Sequence, residues 1–339
     1  MNIQELSALG IVTAAVVYLL AFMAHAAEWA SARGLSAEPA TEPATAGQRE
    51  LVGAGVGGGS LSQDPRSQSS DPSSLSLSTG PEADADHAAR LRVDMFGRMG
   101  VGLTIIAAAS HLMGMVLRGV AGRRLPWGNM YEFTVSALAF AVIAYLVLVL
   151  RKNMRWLGLP MTLLLAIGCG LAATVFHVAV APLVPALHSV WFIIHIVAAC
   201  ISGAAFNLGG MASIIYLFKA RSEQRGSTTG YLAKLPSSQK MDTFAYRAHA
   251  FAFPIWTFTI AAGSIWAEYA WGRFWGWDPK ETWSLVTWVV YACYLHARAT
   301  AGWKGRNAAI IAIIGVASFW FNFIGVNLVF PGLHSYAGI

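Results

Sequence analysis

Eight runs of apolar residues, each long enough to cross about 30 Å of hydrocarbon as a helix, dominate this chain of 339 residues. They fall at 6–27, 98–118, 131–150, 158–180, 190–218, 252–270, 280–299 and 308–329. In lipid the backbone must satisfy its own hydrogen bonds, so runs of this kind read as helices. The fold class expected is therefore all-α, a polytopic integral membrane helix bundle with about eight transmembrane helices. Charged residues make up only 12% of the chain, against about 25% in a soluble domain, which excludes an ordinary soluble enzyme. An apolar content of 56% excludes a wholly disordered one.

The first run ends in Ala24-His25-Ala26, which has the small-residue pattern of a cleavage site. No Lys or Arg precedes Arg33, so the basic region of a signal peptide is missing and a retained span is expected. Residues 37–86 contain 21 Gly, Ser or Pro among 50 and no Phe, Trp or Tyr. Such a stretch buries too little apolar surface to offset its ordering entropy. The organisation expected is a first transmembrane helix at 1–27, a polar and largely disordered cytoplasmic loop at 28–97, and a transmembrane domain at 98–339 with an external Trp-rich loop at 271–283.

The net charge of +6 does not indicate nucleic acid, because the basic residues sit between apolar runs. They follow the positive-inside rule instead. Twelve lie in the short loops on one side: Arg151, Lys152, Arg155, Lys219, Arg221, Arg225, Lys234, Lys240, Arg247, Arg298, Lys304 and Arg306. Five lie on the other: Arg118, Arg123, Arg124, Arg273 and Lys280. The first side is then cytoplasmic, and both termini of a multi-pass protein of the plasma (inner) membrane face outward. Arg118, Arg123 and Arg124 break the rule, which marks them as candidates for holding an anion outside. Cys169, Cys200 and Cys293 all lie in apolar runs without a C-x-x-C pattern and read as small core residues.

The richest stretch is Trp271-Gly-Arg-Phe-Trp-Gly-Trp-Asp-Pro-Lys-Glu-Thr-Trp283. An interfacial belt accounts for some of its tryptophans, but not for Trp271, Trp275 and Trp277 interleaved with Gly272 and Gly276. Glycine permits close approach of the backbone, and indoles offer broad apolar faces with one polar edge. That combination suits a large planar amphiphile at the membrane surface. Asp278, Pro279 and Glu281 match the N-cap, first-turn and capping-box positions of a helix. Asp278 and Glu281 thus have a structural reading beside a ligand-contact one.

Parity of the spans places His188 and His195 at the outer start of the fifth run, seven residues apart and nearly on one helix face. His334 follows the last run, past Pro331-Gly332, on the same side. His296 lies 17 residues beyond Pro279, about 26 Å along a helix and so near the opposite side. A single intramembrane histidine usually bonds a neighbouring helix. Two beside one aromatic loop favour paired axial ligands of an iron. His188 is the alternative to His195, His111 and His177 read as packing residues, and His25, His87 and His249 fall at the cytoplasmic side without motif support.

The segment Trp271–Trp283 resembles the tryptophan-rich motif of the haem-handling proteins of cytochrome c maturation, most closely the CcsA/ResC family of the two-component haem ligase, System II. Trp191-Phe-Ile-Ile-His195 is similar to the segment holding that family's first external haem histidine. His334 stands where the second is expected, and His296 matches the histidine of the helix after the motif. Arg118 with Pro126-Trp-Gly-Asn129-Met-Tyr131-Glu132 resembles the family's Arg/Pro/Asn-x-Tyr-Glu segment. The resemblance covers roughly 98–339 and leaves the 28–97 insert unexplained.

What the resemblance implies is a cytochrome c assembly protein whose cargo is haem b. His296 would ligate it at an inner site beside a ResB-like membrane partner, and His195 with His334 would ligate it outside. Trp271, Gly272, Trp275, Gly276, Trp277 and Asp278 would pack it, and Arg118, Arg123 or Arg124 would pair with its propionates. The other implied partners are an apocytochrome c with C-x-x-C-H, whose thiols add to the haem vinyls, and a thioredoxin-like reductant pathway. The chain would supply orientation and no general acid or base, as a component of a holocytochrome c synthase complex. A cytochrome b-type respiratory subunit is the alternative, but it needs two histidine pairs at two depths, and one plausible inner histidine stands at the inner depth, His296, with His25 of the retained first span its sole competitor. A transporter of another solute would show internal repeats and matching broken spans, which the sequence lacks.

Overall fold

The computed structural model of the protein describes residues 1–33, 81–226, 228–300 and 302–334. Helix α1 spans Ile3–Ser31, α2 Pro81–Gly122 and α3 Met130–Lys152. A single 3-10 turn, Arg155–Leu157, leads into α4, Gly158–Thr174. Then come α5, Val190–Gln224, a short α6, Tyr231–Lys234, α7, Ser238–Trp271, and α8, Pro279–Ala299. The last run is α9, Arg306–Trp320, continued through a π-helical turn, Phe321–Gly325, into α10, Val326–Val329.

Seven of these described segments are long and apolar enough to cross a membrane. The eighth expected span, α8, has 21 residues, about 31 Å of helix. It is less apolar, because its first turns carry Lys280, Glu281, Thr282 and Ser284. An apolar stripe along α1, Leu9, Val12, Val16, Leu19 and Met23, is exposed, as a lipid-facing helix surface should be.

Several boundaries depart from hydropathy. Residues 81–97, expected in the polar loop, form the opening turns of α2; residues 34–80 of that loop lie outside the described residues. Helix α7 begins at Ser238 rather than 252, and α4 ends at Thr174 rather than 180. Hydropathy sees only the apolar parts of α2 and α7, whose polar turns extend beyond them, whereas in α4 the apolar run at 175–180 continues past the helix end. His188 is not on α5 at all. Ser189 caps that helix by accepting from the Trp191 N–H at 3.2 Å, so no common face joins His188 to His195.

Between lipid-facing helices association rests on close packing and hydrogen bonds rather than on the hydrophobic effect. The α1–α2 seam shows both. Ser7 Oγ donates to the Gly114 carbonyl at 2.7 Å, and Ser110 Oγ to the Gly10 carbonyl at 2.9 Å. A Cβ on Gly10 would sit 3.1 Å from the Gly114 Cα, tighter than an ordinary contact, so glycine favours this approach. Helices α5 and α7 run side by side in opposite directions. The α8 start, the α5 start and the α10 end gather at one end of the bundle, with the α7–α8 loop among them.

Candidate functional site

Helix α7 ends at Trp271 with Gly272 as a left-handed cap (φ 71°), and the Asp278 capping box starts α8 as its sequence pattern predicts. The intervening loop has its own internal structure. Arg273 Nη1 donates to the Gly276 carbonyl at 3.4 Å, and the Arg273 guanidinium fills the space a Cβ on Gly276 would need. Gly272 thus meets the demand of a left-handed turn and Gly276 that of the Arg273 guanidinium. Trp277 is held at φ 59°, an unfavourable region for a bulky residue. Its side chain is 68% exposed and stands edge-on to Trp275 at 5.8 Å. Of the three loop indoles only Trp275 lines the cavity described next, while Trp271 sits 4.8 Å from His334 as an edge-to-face backing.

His195 and His334 line one partly open cavity between α3, α5, α7, α8 and the π turn. Its walls are aromatic, with Phe133, Phe192, Trp256, Trp266, Phe319 and Trp320. Trp266 touches both imidazoles, with ring centroids 5.8 Å from His195 and 5.5 Å from His334.

Both histidines are oriented through the same nitrogen. His195 Nδ1 bonds the Thr259 carbonyl at 2.9 Å, which requires the N–H on Nδ1. His334 Nδ1 bonds Asp278 Oδ2 at 2.8 Å. Neither Nε2 has a hydrogen-bond partner among the described residues. Fixing Nδ1–H on a carbonyl or carboxylate sets the tautomer and leaves Nε2 as a basic ligand atom. Thr259, Gly263 and Trp266 share one face of α7 by their i, i+4, i+7 spacing, and all three bear on His195; a Cβ on Gly263 would come within 2.7 Å of His195 Nδ1. That spacing was the available signal for Trp266, which the sequence reading passed over.

Asp278 does more than cap α8. Besides the Lys280 N–H at 3.2 Å it accepts the Leu333 N–H at 2.7 Å and His334 Nδ1, so one carboxylate ties the chain beyond α10 to the start of α8. Burial alone would push its carboxyl up, but the bonds from His334, Leu333 and Lys280 outweigh burial and hold it below its ordinary range. Glu281 completes the turn. Its Oε2 accepts the N–H groups of Gly276 and Asp278, at 2.8 and 3.1 Å, and its Oε1 has no partner among the described residues.

The arginine cluster is placed differently from its sequence reading. Arg118 Nε donates to Glu132 Oε1 at 2.9 Å and Arg124 Nη1 to Glu132 Oε2 at 2.6 Å, while both guanidiniums also bond carbonyls, those of Val178 and Ala181. Arg118 and Glu132 are buried. Arg123 is exposed, in a left-handed turn at φ 49°. None of the three lines the cavity; the cation that does is Lys280. The physical reason is that Glu132 occupies both guanidiniums, which spares the buried carboxylate an uncompensated charge.

The remaining histidines divide clearly. His111 is buried and bonds the Val135 carbonyl at 2.9 Å and Tyr18 at 3.3 Å; His177 stands edge-on to Tyr131 at 5.2 Å, and both are packing residues as expected. His188 is exposed and bonds the Leu183 carbonyl at 3.3 Å, outside the cavity. His25 is buried against Glu28 at 2.9 Å. His249 is buried among Phe206, Tyr291 and Tyr294. His296 lies at the far end of α8 on an exposed surface, and its imidazole has no partner among the described residues. Near it, Arg298 Nη1 bonds Asp242 at 2.7 Å and pins that end of α8 to α7.

The model of the cytochrome C assembly protein family matches residues 127–334. The cytochrome c biogenesis protein CcsA of Guillardia theta is 34% identical over 259 residues, covering 70% of this chain and 85% of that protein. Its counterpart in Chlamydomonas reinhardtii is 34% identical over 71% of this chain and 72% of the relative. That of Gloeobacter violaceus is 31% identical over 74% and 89%. Among solved structures, the cytochrome c haem lyase CcmF superposes on 95% of this chain with a TM-score of 0.62 at 13% identity, a likeness of fold in which this chain spans about half of that protein's length. The family match over residues 127–334 and relatives at 31–34% identity over about 70% of the chain identify it as a CcsA-type, multi-pass member of the cytochrome c assembly family, acting in cytochrome c biogenesis.

Proposed function

We propose that the chain holds haem b between His195 and His334 at the external end of the bundle and presents it to the C-x-x-C-H segment of an apocytochrome c. The observation that carries this reading is the shared anchoring of the two imidazoles, each by Nδ1, with both Nε2 atoms free beside one aromatic cavity. Two axial nitrogens are what a macrocycle supplying four ligands of its own still needs. The residues therefore fit the group.

In the attachment step each substrate thiol adds across a haem vinyl. A carbon–sulfur bond forms at one vinyl carbon, and the thiol hydrogen ends on the other, with no net oxidation. The reactive atoms belong to haem and substrate. This chain's residues hold the ring in place, keep water from its faces with Trp256, Trp266 and Trp275, and leave one edge toward the opening. The substrate's own histidine then replaces one of the two imidazoles. Delivery begins at His296, whose outward-facing ring suits a second ligand from a ResB-like membrane partner, and a thioredoxin-like pathway keeps the substrate thiols reduced. The cavity faces outward in the plasma membrane, and the twelve basic residues counted above face the cytoplasm.

The test is substitution of the two imidazoles. His195→Ala and His334→Ala each abolish holocytochrome c formation and the bis-imidazole absorbance spectrum of the purified complex, and added imidazole restores both in part. Full activity of either variant without imidazole defeats the reading.

A further inference from the structure

The porphyrin proposed above carries two carboxylates, and the arginines expected to meet them are taken. Both Arg118 and Arg124 are bonded to Glu132, away from the cavity. One Lys or Arg remains among the residues that line it, Lys280, in the first turn of α8. Its Nζ donates to the Phe323 carbonyl of the π turn at 3.2 Å and stands 5.8 Å from the Phe323 ring. It makes no ion pair among the described residues.

That is an incomplete environment for an ammonium. The group has three donors, one of which is used, and a cation set in an apolar wall is costly unless a counter-charge meets it. The neighbouring carboxylates are otherwise engaged. Asp278 is held by His334 and Leu333, and Glu281 Oε2 by two loop N–H groups. The unpartnered Glu281 Oε1 is on the same wall and would repel a carboxylate of the cargo. A cation is needed there for an anionic edge to be accepted at all. The π turn, which presents the Phe323 carbonyl, fixes where that cation stands; such turns recur at functional sites.

We propose that Lys280 is the carboxylate-binding residue of the cavity, its ammonium receiving a propionate of the porphyrin held by His195 and His334. This rests on the function proposed above. Lys280 is a positioning residue: it touches the cargo's edge and sets the rotation of the ring, which decides which vinyl groups face the opening.

The experiment titrates the full chain in detergent with haem and with haem dimethyl ester, whose propionates are neutral, and follows the Soret band. The unsubstituted protein binds haem about tenfold or more tightly than the ester, the range of one charge-assisted hydrogen bond. Lys280→Met, which keeps the alkyl stem, binds both porphyrins alike at the level of the ester, with the bis-imidazole spectrum intact. Lys280→Arg keeps the preference for haem. If Lys280→Met still discriminates between the two porphyrins, or the unsubstituted chain does not, the assignment of Lys280 is wrong while the histidine site stands. If neither porphyrin binds in a way that His195→Ala and His334→Ala remove, the function proposed above falls first and Lys280 with it.

Discussion

Replacing Asp278 by Asn changes one atom and removes one of its two acceptors. Oδ2 serves both the Lys280 N–H of the α8 cap and His334 Nδ1, so cap and tether are weakened together when the NH₂ takes that place. Asp278 offers two acceptor oxygens, Oδ1 to the Leu333 N–H and Oδ2 to His334 Nδ1. Asn keeps one acceptor and places an NH₂ against whichever donor is left. If that NH₂ faces His334, the imidazole relieves the clash by moving its proton to Nε2, the atom required as ligand. A bond to a charged group is worth about 1.5–3 kcal/mol, and each 1.4 kcal/mol is a factor of ten. Haem affinity at the external site should fall by about 10- to 100-fold, the range found when partners behind a metal-ligating histidine are altered. The assay is a haem titration of purified Asp278→Asn, followed at the Soret band, beside a thermal unfolding curve. An affinity within about twofold of the unsubstituted protein, at unchanged unfolding temperature, would refute the claim that this carboxylate sets the His334 tautomer.

Two further outcomes follow from other parts of the molecule. Glu132→Gln leaves the buried Arg118 and the half-shielded Arg124 without a counter-charge, so unfolding in detergent should show a loss of about 3–5 kcal/mol; a change under about 1 kcal/mol would mean that the arginines are solvated by other means. His296→Ala removes an exposed ring with no partner among the described residues, so stability should stay within about 0.5 kcal/mol while the haem copurifying with the partner-bound complex drops; unchanged haem content would count against His296 as the inner ligand.

The spans and the gathering of His195, His334 and the tryptophan loop at one end were legible because hydropathy and chain parity act over whole segments. The α8 start was legible for a local reason, since Asp278, Pro279 and Glu281 occupy a fixed pattern with a known hydrogen-bond scheme. What escaped reading depends on contacts between distant positions. Nothing in the local sequence says that Glu132 reaches back eight and fourteen residues to Arg124 and Arg118. Lys280 was counted as a topogenic charge, because its direction is set by the π turn more than forty residues later. The outward stance of Trp277 depends on its left-handed backbone, and no composition argument registers a single φ angle. His188 was misplaced by assuming that an apolar run and a helix begin together, whereas Ser189 decides where α5 starts.

The two imidazoles are mounted on unlike supports. His195 sits in a 35-residue helix packed along α7, so shifting its ring means deforming two long rods together. His334 lies beyond the last helical residue, Val329, where Asp278 accepts both the Leu333 N–H and the imidazole Nδ1–H. In the function proposed above, a competing ligand would meet a stiff support on one side and a shorter, non-helical one on the other, and the non-helical support would be the first to yield.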